Sequence, residues 1–510
     1  MKNIYKAICL ISLAFFVACD EDLDINTDPN SPQEITSGLA LASAQASLVT
    51  VVGGDLMNLG GFYAQYHTQA PTAGQYEIID QYNINSTYAD RLWAELYAGC
   101  LNDLEFVLNQ AAEEGNTGDA LIATCLQAYT FQLLVDLFGD IPYEEALQGG
   151  QGNFTPTVTP GEDVYADLLS RLDAAIAAYE SNPKQPSVGA QDQIYGGNAA
   201  HWIRFANTLQ LKMYLRMAYT PMANPAAVTS LIAEDNFITE DAAFSNFSQT
   251  LNQTNPFYGV QLSNQGTGLG DINNVASSSL LEFYEGNNDT IRLRAVYRYR
   301  ESDSTYVAIP QGSGDEFNDT AVNYARPNIR ETTPVFLMTV AESNFLQAEG
   351  LVRYAGGAGA EERYNAGVIA SFQTYQDNFG FLDENREPIT TPAAQLAQPY
   401  IAPGGEYEYV PQGSVEADVR QIIVQKWASL PYINNIEAYF EATRTKYPEI
   451  VPEGTENYAE GNRIPSRISV LPGTTVPSIL YYPDDEVNRN PNITQHSSLT
   501  ENVWWDQKPE

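Results

Sequence analysis

Histidine and positive charge are scarce in this chain: of 510 residues, 3 are His, 25 are Lys or Arg and 64 are Asp or Glu, a formal net charge of −39. A surface with that imbalance repels a polyphosphate backbone, which excludes a nucleic-acid partner. His67, His201 and His496 are far apart, and neither an HExxH nor a CxxC pair is present, so a histidine or thiolate metal site has no support. GxSxG elbows, P-loops and Rossmann glycine patterns are missing as well. With 64 acids, carboxylate pairs at glycosidase separations arise by chance, so such a pair carries no information about hydrolysis and a surface glycan hydrolase stays open as an alternative reading.

Cysteine is almost as rare, and each of the four has its own context. Cys9 lies in an apolar run, Ala7 to Ala18, preceded by Lys2 and Lys6. Twelve residues are too few for a membrane span, which needs about 20, but they suit a signal peptide. Phe16, Val17 and Ala18 lead into Cys19 in the manner of a lipobox, which makes Cys19 the expected lipidation site and mature N-terminus. Ordinary cleavage after Ala18, with Cys19 a bystander, is the other reading. Each buried acyl methylene contributes about 0.8 kcal/mol, so several acyl chains hold a folded body at a membrane from outside it.

Asp20, Glu21, Asp22, Asp24 and Asp28 follow at once, a solvated tether that we place at 19–35, after the signal peptide at 1–18 and before one domain at 36–510. Asp22, Asp24, Asn26 and Asp28 fall on the odd positions of a calcium loop. Thr27 in place of glycine, then Pro29 and Gln33, break that pattern. Loss of 1–18 leaves 23 basic and 64 acidic residues, a net of −41, which keeps an exposed surface soluble by self-repulsion. Cys100 and Cys125 sit in apolar helical contexts and are expected as buried free thiols.

What the chain has in quantity is helical periodicity, arranged in pairs. Leu101, Leu104, Val107, Leu108 and Ala111 mark one helix face, and after the turn near 114–118 a helix apolar on nearly all sides runs to Gly139. A second pair is read from 159–179 and 199–219, with Thr159 as cap, Pro160 at the first helical position and Glu162 closing a capping box. A third comes from 341–357 and 361–380, and a fourth from 419–433 and 435–448. Four hairpins suggest an all-α, tetratricopeptide-like stack. Between pairs two and three, residues 221–335 are rich in Asn, Gly, Ser and Thr with short strand-like pieces, and 381–414 carries five prolines. Long irregular insertions on a rigid scaffold are where binding surfaces usually sit.

The stretches LFGDIPYEEA (137–146), NAAHWIRFANTLQLKMYLRMA (198–218), AESNFLQAEGLVRY (341–354), QKWASLPYINNIEAYFEATRTKYP (425–448) and SILYYPDDEVNRNPNI (478–493), in that order, resemble the SusD/RagB family of outer-membrane nutrient-binding lipoproteins. The resemblance covers essentially the whole mature chain. It departs in the fourth region, where the family usually has a Trp and paired arginines and this chain has Tyr439 and a single Arg444 before Thr445.

The resemblance implies an all-α fold of four tetratricopeptide-like hairpins with a loop-rich second face carrying short strands. It also implies a non-catalytic role without cofactor or metal, as the hinged lid of a SusC-like TonB-dependent barrel. The ligand so implied is a glycan or, alternatively, a peptide, and the membrane contact is the N-terminal lipid.

Tyrosine outnumbers phenylalanine 32 to 20, and a ring with a polar tip suits a surface that is both sticky and wet. Sugar recognition calls for aromatic faces with amides and carboxylates nearby. Two stretches offer that mixture: Tyr63, Tyr66, His67, Gln69 and Tyr76 in FYAQYHTQAPTAGQY, and Phe257, Tyr258, Gln261 and Asn264 in NPFYGVQLSNQGTG. The competing reading of both is core packing. Trp93, Trp202 and Trp427 lie on helical faces and are expected in the core, with Trp504 and Trp505 docking the tail.

Overall fold

The computed structural model describes residues 35–71, 73–250, 252–261, 273–298, 305–317 and 324–509. The expected signal peptide, Cys19, all but the last residue of the 19–35 tether, and Asn264 lie outside the described residues, as does the side chain of Gln261.

Eleven helices carry the argument. They are α1 Ser37–Thr50, α2 Leu56–Tyr63, α3 Asn102–Glu114, α4 Thr117–Phe138, α5 Gly161–Ser181, α6 Ala199–Arg216, α7 Pro225–Glu234, α8 Val340–Tyr354, α9 Ala360–Asn378, α10 Val415–Ser429 and α11 Asn435–Thr445. The four expected hairpins are α3/α4, α5/α6, α8/α9 and α10/α11, each with its two helices packed on one another. Gly115, at φ +60°, ends α3 in the left-handed conformation, and the Asn116 side chain caps α4 through the amides of Gly118 and Asp119 at 3.0 and 3.2 Å. α4 is buried along nearly its whole length, which is why its sequence shows no polar face. Gly139, at φ +75°, stops it.

The capping box at α5 does not form. Thr159 is used in a strand, the helix begins at Gly161, and Asp140 accepts from the Gly161 amide at 3.0 Å. A second departure precedes the hairpins: α1, a single π-helical stretch Val51–Asp55 and α2 make one continuous 27-residue helix. Its five glycines mask it in the sequence, since each costs about 1 kcal/mol of helix propensity relative to alanine. Gly60 is required there, because a Cβ would stand 2.4 Å from the backbone of Asn435 and Ile436 in α11. A third is the short helix Ala393–Ile401, which tolerates Pro399 near its end inside a segment expected to be irregular.

The strands are two to four residues long and pair only in twos: β1 His67–Gln69, β2 Ile141–Pro142, β3 Val158–Thr159, β4 Ala242–Phe244, β5 Asn274–Ala276, β6 Tyr297–Arg298, β7 Arg326–Pro327 and β8 Val335–Met338. All four pairs are antiparallel: β1/β5, β2/β3, β4/β8 and β6/β7. They belong to loops, so the fold class remains all-α.

Two hydrophobic cores divide the molecule, one around α1 and α3–α6, the other around α8–α10 and the β1/β5 region. Between them lies a buried ion-pair network. Asp136 of α4, Glu342 and Glu349 of α8, and Glu437 and Glu441 of α11 face Lys212 and Arg216 of α6, Arg353 of α8, Lys426 of α10 and Arg444 of α11. These five acids and five bases balance in charge, none of the ten side chains is more than 7% exposed, and Arg353 reaches out of the group to the partly exposed Glu416 at 3.0 Å.

Cys100 and Cys125 are buried free thiols, as expected, their sulfurs near Thr130 Oγ1 at 3.4 Å and the Trp202 carbonyl at 3.6 Å. Trp93, Trp202 and Trp427 are all buried. Trp505 docks the tail by donating to Asp136 Oδ1 at 2.8 Å.

Candidate functional site

Three segments distant in sequence meet on the loop-rich face: 67–81, 309–317 and 464–470. β1 fixes the first by pairing His67 with Ala276, Thr68 with Val275 and Gln69 with Asn274. Asp80 ties the others to it. Its carboxylate accepts from Thr68 Oγ1 and the Gln69 amide, both at 2.7 Å, and from Gln311 Nε2 at 2.5 Å, while the Gly312 amide donates to Thr68 Oγ1 at 3.0 Å. Burial pushes the Asp80 carboxyl up to about 6, and these three donors limit the rise. The third segment joins through the backbone, Arg467 N to Gln311 O at 3.0 Å and Val470 N to Gln81 O at 2.9 Å.

The junction leaves a recess of about 20 Å³, lined by Gln69, Ala73, Glu77, Gly312, Gly314 and Ile468, room for about one water molecule. The three segments that build it each carry an exposed apolar side chain. Ile78 is 43% exposed, Phe317 36% and Val470 58%. The short helix Gly314–Phe317 lies against β1, since a Cβ on Gly314 would stand 3.2 Å from the Gln69 carbonyl oxygen. Tyr324, half-buried against the cluster of Ala70, Val275 and Ile309, donates its hydroxyl to the Phe317 carbonyl at 2.6 Å. Gln75 and Glu77 are exposed beside this edge, and Arg467 is held by Glu453 at 2.9 and 3.0 Å. An aromatic edge with amide, carboxylate and guanidinium groups around it suits a ligand with an apolar face and many hydroxyls.

The residues expected from the sequence are distributed unevenly over this face. Gln69 lines the recess, but both ends of its side chain are used internally: Oε1 accepts from the Tyr76 amide at 2.6 Å and Nε2 donates to the Asn273 carbonyl at 2.7 Å. Tyr76 is half-buried, its ring edge-on to Phe62 at 6.2 Å, and burial pushes its hydroxyl up to about 12. Tyr258 is half-buried on the helix Pro256–Gln261 and donates to Glu331 at 2.9 Å.

Tyr63, Tyr66, His67 and Phe257 are corrected to core residues, none more than 1% exposed, because a ring enclosed on both faces offers no surface to a ligand. His67, Phe257 and Tyr432 form a mutually packed trio of rings, with centroids 5.7, 5.9 and 5.8 Å apart. Gly61 makes room for it, since a Cβ there would stand 2.0 Å from the imidazole. Burial lowers the His67 pKa to about 3, so the ring is neutral, and Nε2 donates to the Asn58 carbonyl at 3.1 Å. Phe317 and Tyr324 were missed by sequence reasoning. Their only signal was their place in the irregular 221–335 insertion. Among the described residues, no group of three or more His, Cys, Asp or Glu is arranged to hold a metal ion.

A helical-hairpin body bearing a loop-built, aromatic-edged face defines a binding scaffold. The family model described as starch-binding and associating with the outer membrane matches residues 29–470, and the chain belongs to this SusD-like family. No curated protein matches the sequence. Solved structures share the fold. A SusD homolog from Bacteroides uniformis is 22% identical at a TM-score of 0.70, covering 92% of this chain and 99% of its own. A SusD/RagB family protein from Bacteroides thetaiotaomicron is 22% identical at 0.73, covering 94% and 100%. A chitin-binding SusD homolog from Flavobacterium johnsoniae is 19% identical at 0.70, covering 91% and 98%.

Proposed function

We propose that this protein is a lipid-tethered, cell-surface binding protein that captures an oligosaccharide on its loop-rich face. It delivers that ligand as the lid of a SusC-like TonB-dependent barrel in the outer membrane. The observation that carries the reading is the Phe317–Tyr324 edge, partly exposed and set on a junction braced by Asp80 and β1. Membership in an outer-membrane-associated, starch-binding family supports it, as do two structural relatives described as chitin-binding. Cys19 supplies the anchor and the acidic segment after it the slack for a lid to swing. The chain acts by binding and performs no reaction.

Pull-down of the tagged, full-length protein from gently solubilised outer membrane tests the lid role. A large TonB-dependent barrel is expected to co-purify, with Cys19→Ala abolishing membrane retention. A protein that emerges alone even after mild crosslinking contradicts the lid assignment and leaves a free-standing binder.

A further inference from the structure

A second cavity lies on the helical body and shares no lining residue with the loop-face recess. It has a volume of about 520 Å³, within the range of small-ligand pockets, and sits among α3, α4, α5 and the loop joining β2 to β3. One continuous hydrogen-bond chain forms its floor. Gln127 Nε2 donates to Glu105 at 3.2 Å, Arg171 donates to Gln127 Oε1 and, at 3.0 Å, to the Tyr143 hydroxyl, and that hydroxyl donates to Asp167. The Tyr143 ring stands edge-on to Phe131 at 4.7 Å. Each polar group is thus fixed in orientation before any ligand arrives, which lowers the ordering cost of binding.

The β2–β3 loop that supplies one wall also carries Phe154, which stands outside the lining itself and is 77% exposed, the most exposed large apolar side chain among the described residues. Its ring lies 3.9 Å from where a Cβ on Gly149 would stand, between the cavity-lining residues Gln148 and Gln151. The loop is braced from both sides. Thr157 N donates to Glu145 at 2.8 Å, Asn490 Nδ2 to the Pro156 carbonyl at 2.9 Å and Asn492 Nδ2 to the Thr155 carbonyl at 2.8 Å. The phenyl ring is therefore held in water by its backbone.

Glu105, Glu144, Asp163 and Asp167 line the cleft against a single cation, Arg171, whose guanidinium is already engaged with Gln127 and Tyr143. A carboxylate- or sulfate-bearing ligand is repelled by that lining, and a protonated amine is drawn to it.

We propose that this cleft is a second saccharide site, independent of the loop-face site, with Phe154 as its stacking ring and the Asp167–Tyr143–Arg171 chain as its polar wall. It accepts one or two non-anionic sugar rings and prefers a sugar with a free protonated amine. Its occupant is short, whereas the open loop face has room for a longer chain.

Calorimetric titration of the folded protein with a glucosamine disaccharide, a neutral glucose disaccharide and a galacturonic acid disaccharide tests this. The amino disaccharide is expected to bind most tightly and the uronate not at all. Phe154→Ala should weaken the amino disaccharide about 10-fold, the scale of losing an aromatic anchor, with the melting temperature unchanged because the ring is exposed. Asp167→Asn should erase most of the preference for the amine over the neutral sugar.

The proposal is overturned if neither the amino nor the neutral disaccharide binds or if the uronate binds as well as the amine. It is equally overturned if Phe154→Ala leaves the affinity unchanged, or if Phe317→Ala alone abolishes all binding. The last result would place every sugar contact on the loop face and leave that reading standing.

Discussion

Arg444→Met destabilises the protein by about 3–5 kcal/mol, the cost of leaving a buried ion-pair network one cation short. Arg444 donates to Glu349 at 2.8 and 2.7 Å, to Glu441 at 2.9 and 2.6 Å and to the Leu215 carbonyl at 3.0 Å, from a position with no solvent exposure. Methionine fills most of the volume but satisfies none of these acceptors. Glu349, Glu441 and the Leu215 carbonyl lose partners in a medium where each lost bond has no water to replace it.

The loss depends on pH with a definite sign. Burial alone would raise the carboxyls of Glu349 and Glu441, but Arg444 leads the cations that outweigh it, and both are held below the ordinary glutamate range. Groups with depressed folded-state pKa values stabilise above the unfolded value and lose that contribution as pH falls. The gap between wild type and Arg444→Met is therefore widest at neutral pH and narrows in acid. Urea unfolding followed by circular dichroism at pH 7 and pH 4 checks both points, and a gap that widens in acid contradicts the assignment.

Tyr66→Ala acts on folding, at a cost of about 3–5 kcal/mol, typical of truncating a large buried aromatic side chain. The Tyr66 hydroxyl donates to the Trp427 carbonyl at 2.5 Å, and its ring lies 5.5 Å from the Trp427 ring. Trp427 Nε1 returns a bond to the Ala64 carbonyl at 2.9 Å, and the Tyr297 hydroxyl donates to the Tyr66 carbonyl. The side chain thus joins α10 to the turn between α2 and β1. Alanine opens a cavity and leaves the Trp427 carbonyl with only the Leu430 amide, at 3.3 Å. Thermal unfolding shows the shift, and an unchanged melting temperature contradicts the placement of Tyr66 in the core.

The hairpins were legible because their signal is local: apolar residues three and four apart, with Gly115 and Gly139 as stops. Asp140 capping α5 was not, because the competing residue, Thr159, fits the local motif and only the β2/β3 pairing assigns it elsewhere. Nor was the pairing of Gln69 with Asn274, which bridges two segments with no common pattern. The site failed for a different reason. Tyr66 and Phe317 are both aromatic residues near glycines and amides, and composition cannot distinguish a ring packed on a tryptophan from one at a rim. Dense aromatics in FYAQYHTQ drew attention to a core, while Phe317, isolated among Asp, Glu and Asn, carried no density to notice.

Binding of neutral oligosaccharides of four or more units, too long for the helical-body cleft, tests the loop-face reading most directly. Calorimetric titration of wild type and Phe317→Ala with starch- and chitin-derived chains is the measurement. At least one chain is expected to bind wild type, with affinity falling about 10-fold or more in the variant while its melting temperature stays put. A variant that binds as wild type does, or a wild type that binds no such chain, contradicts it.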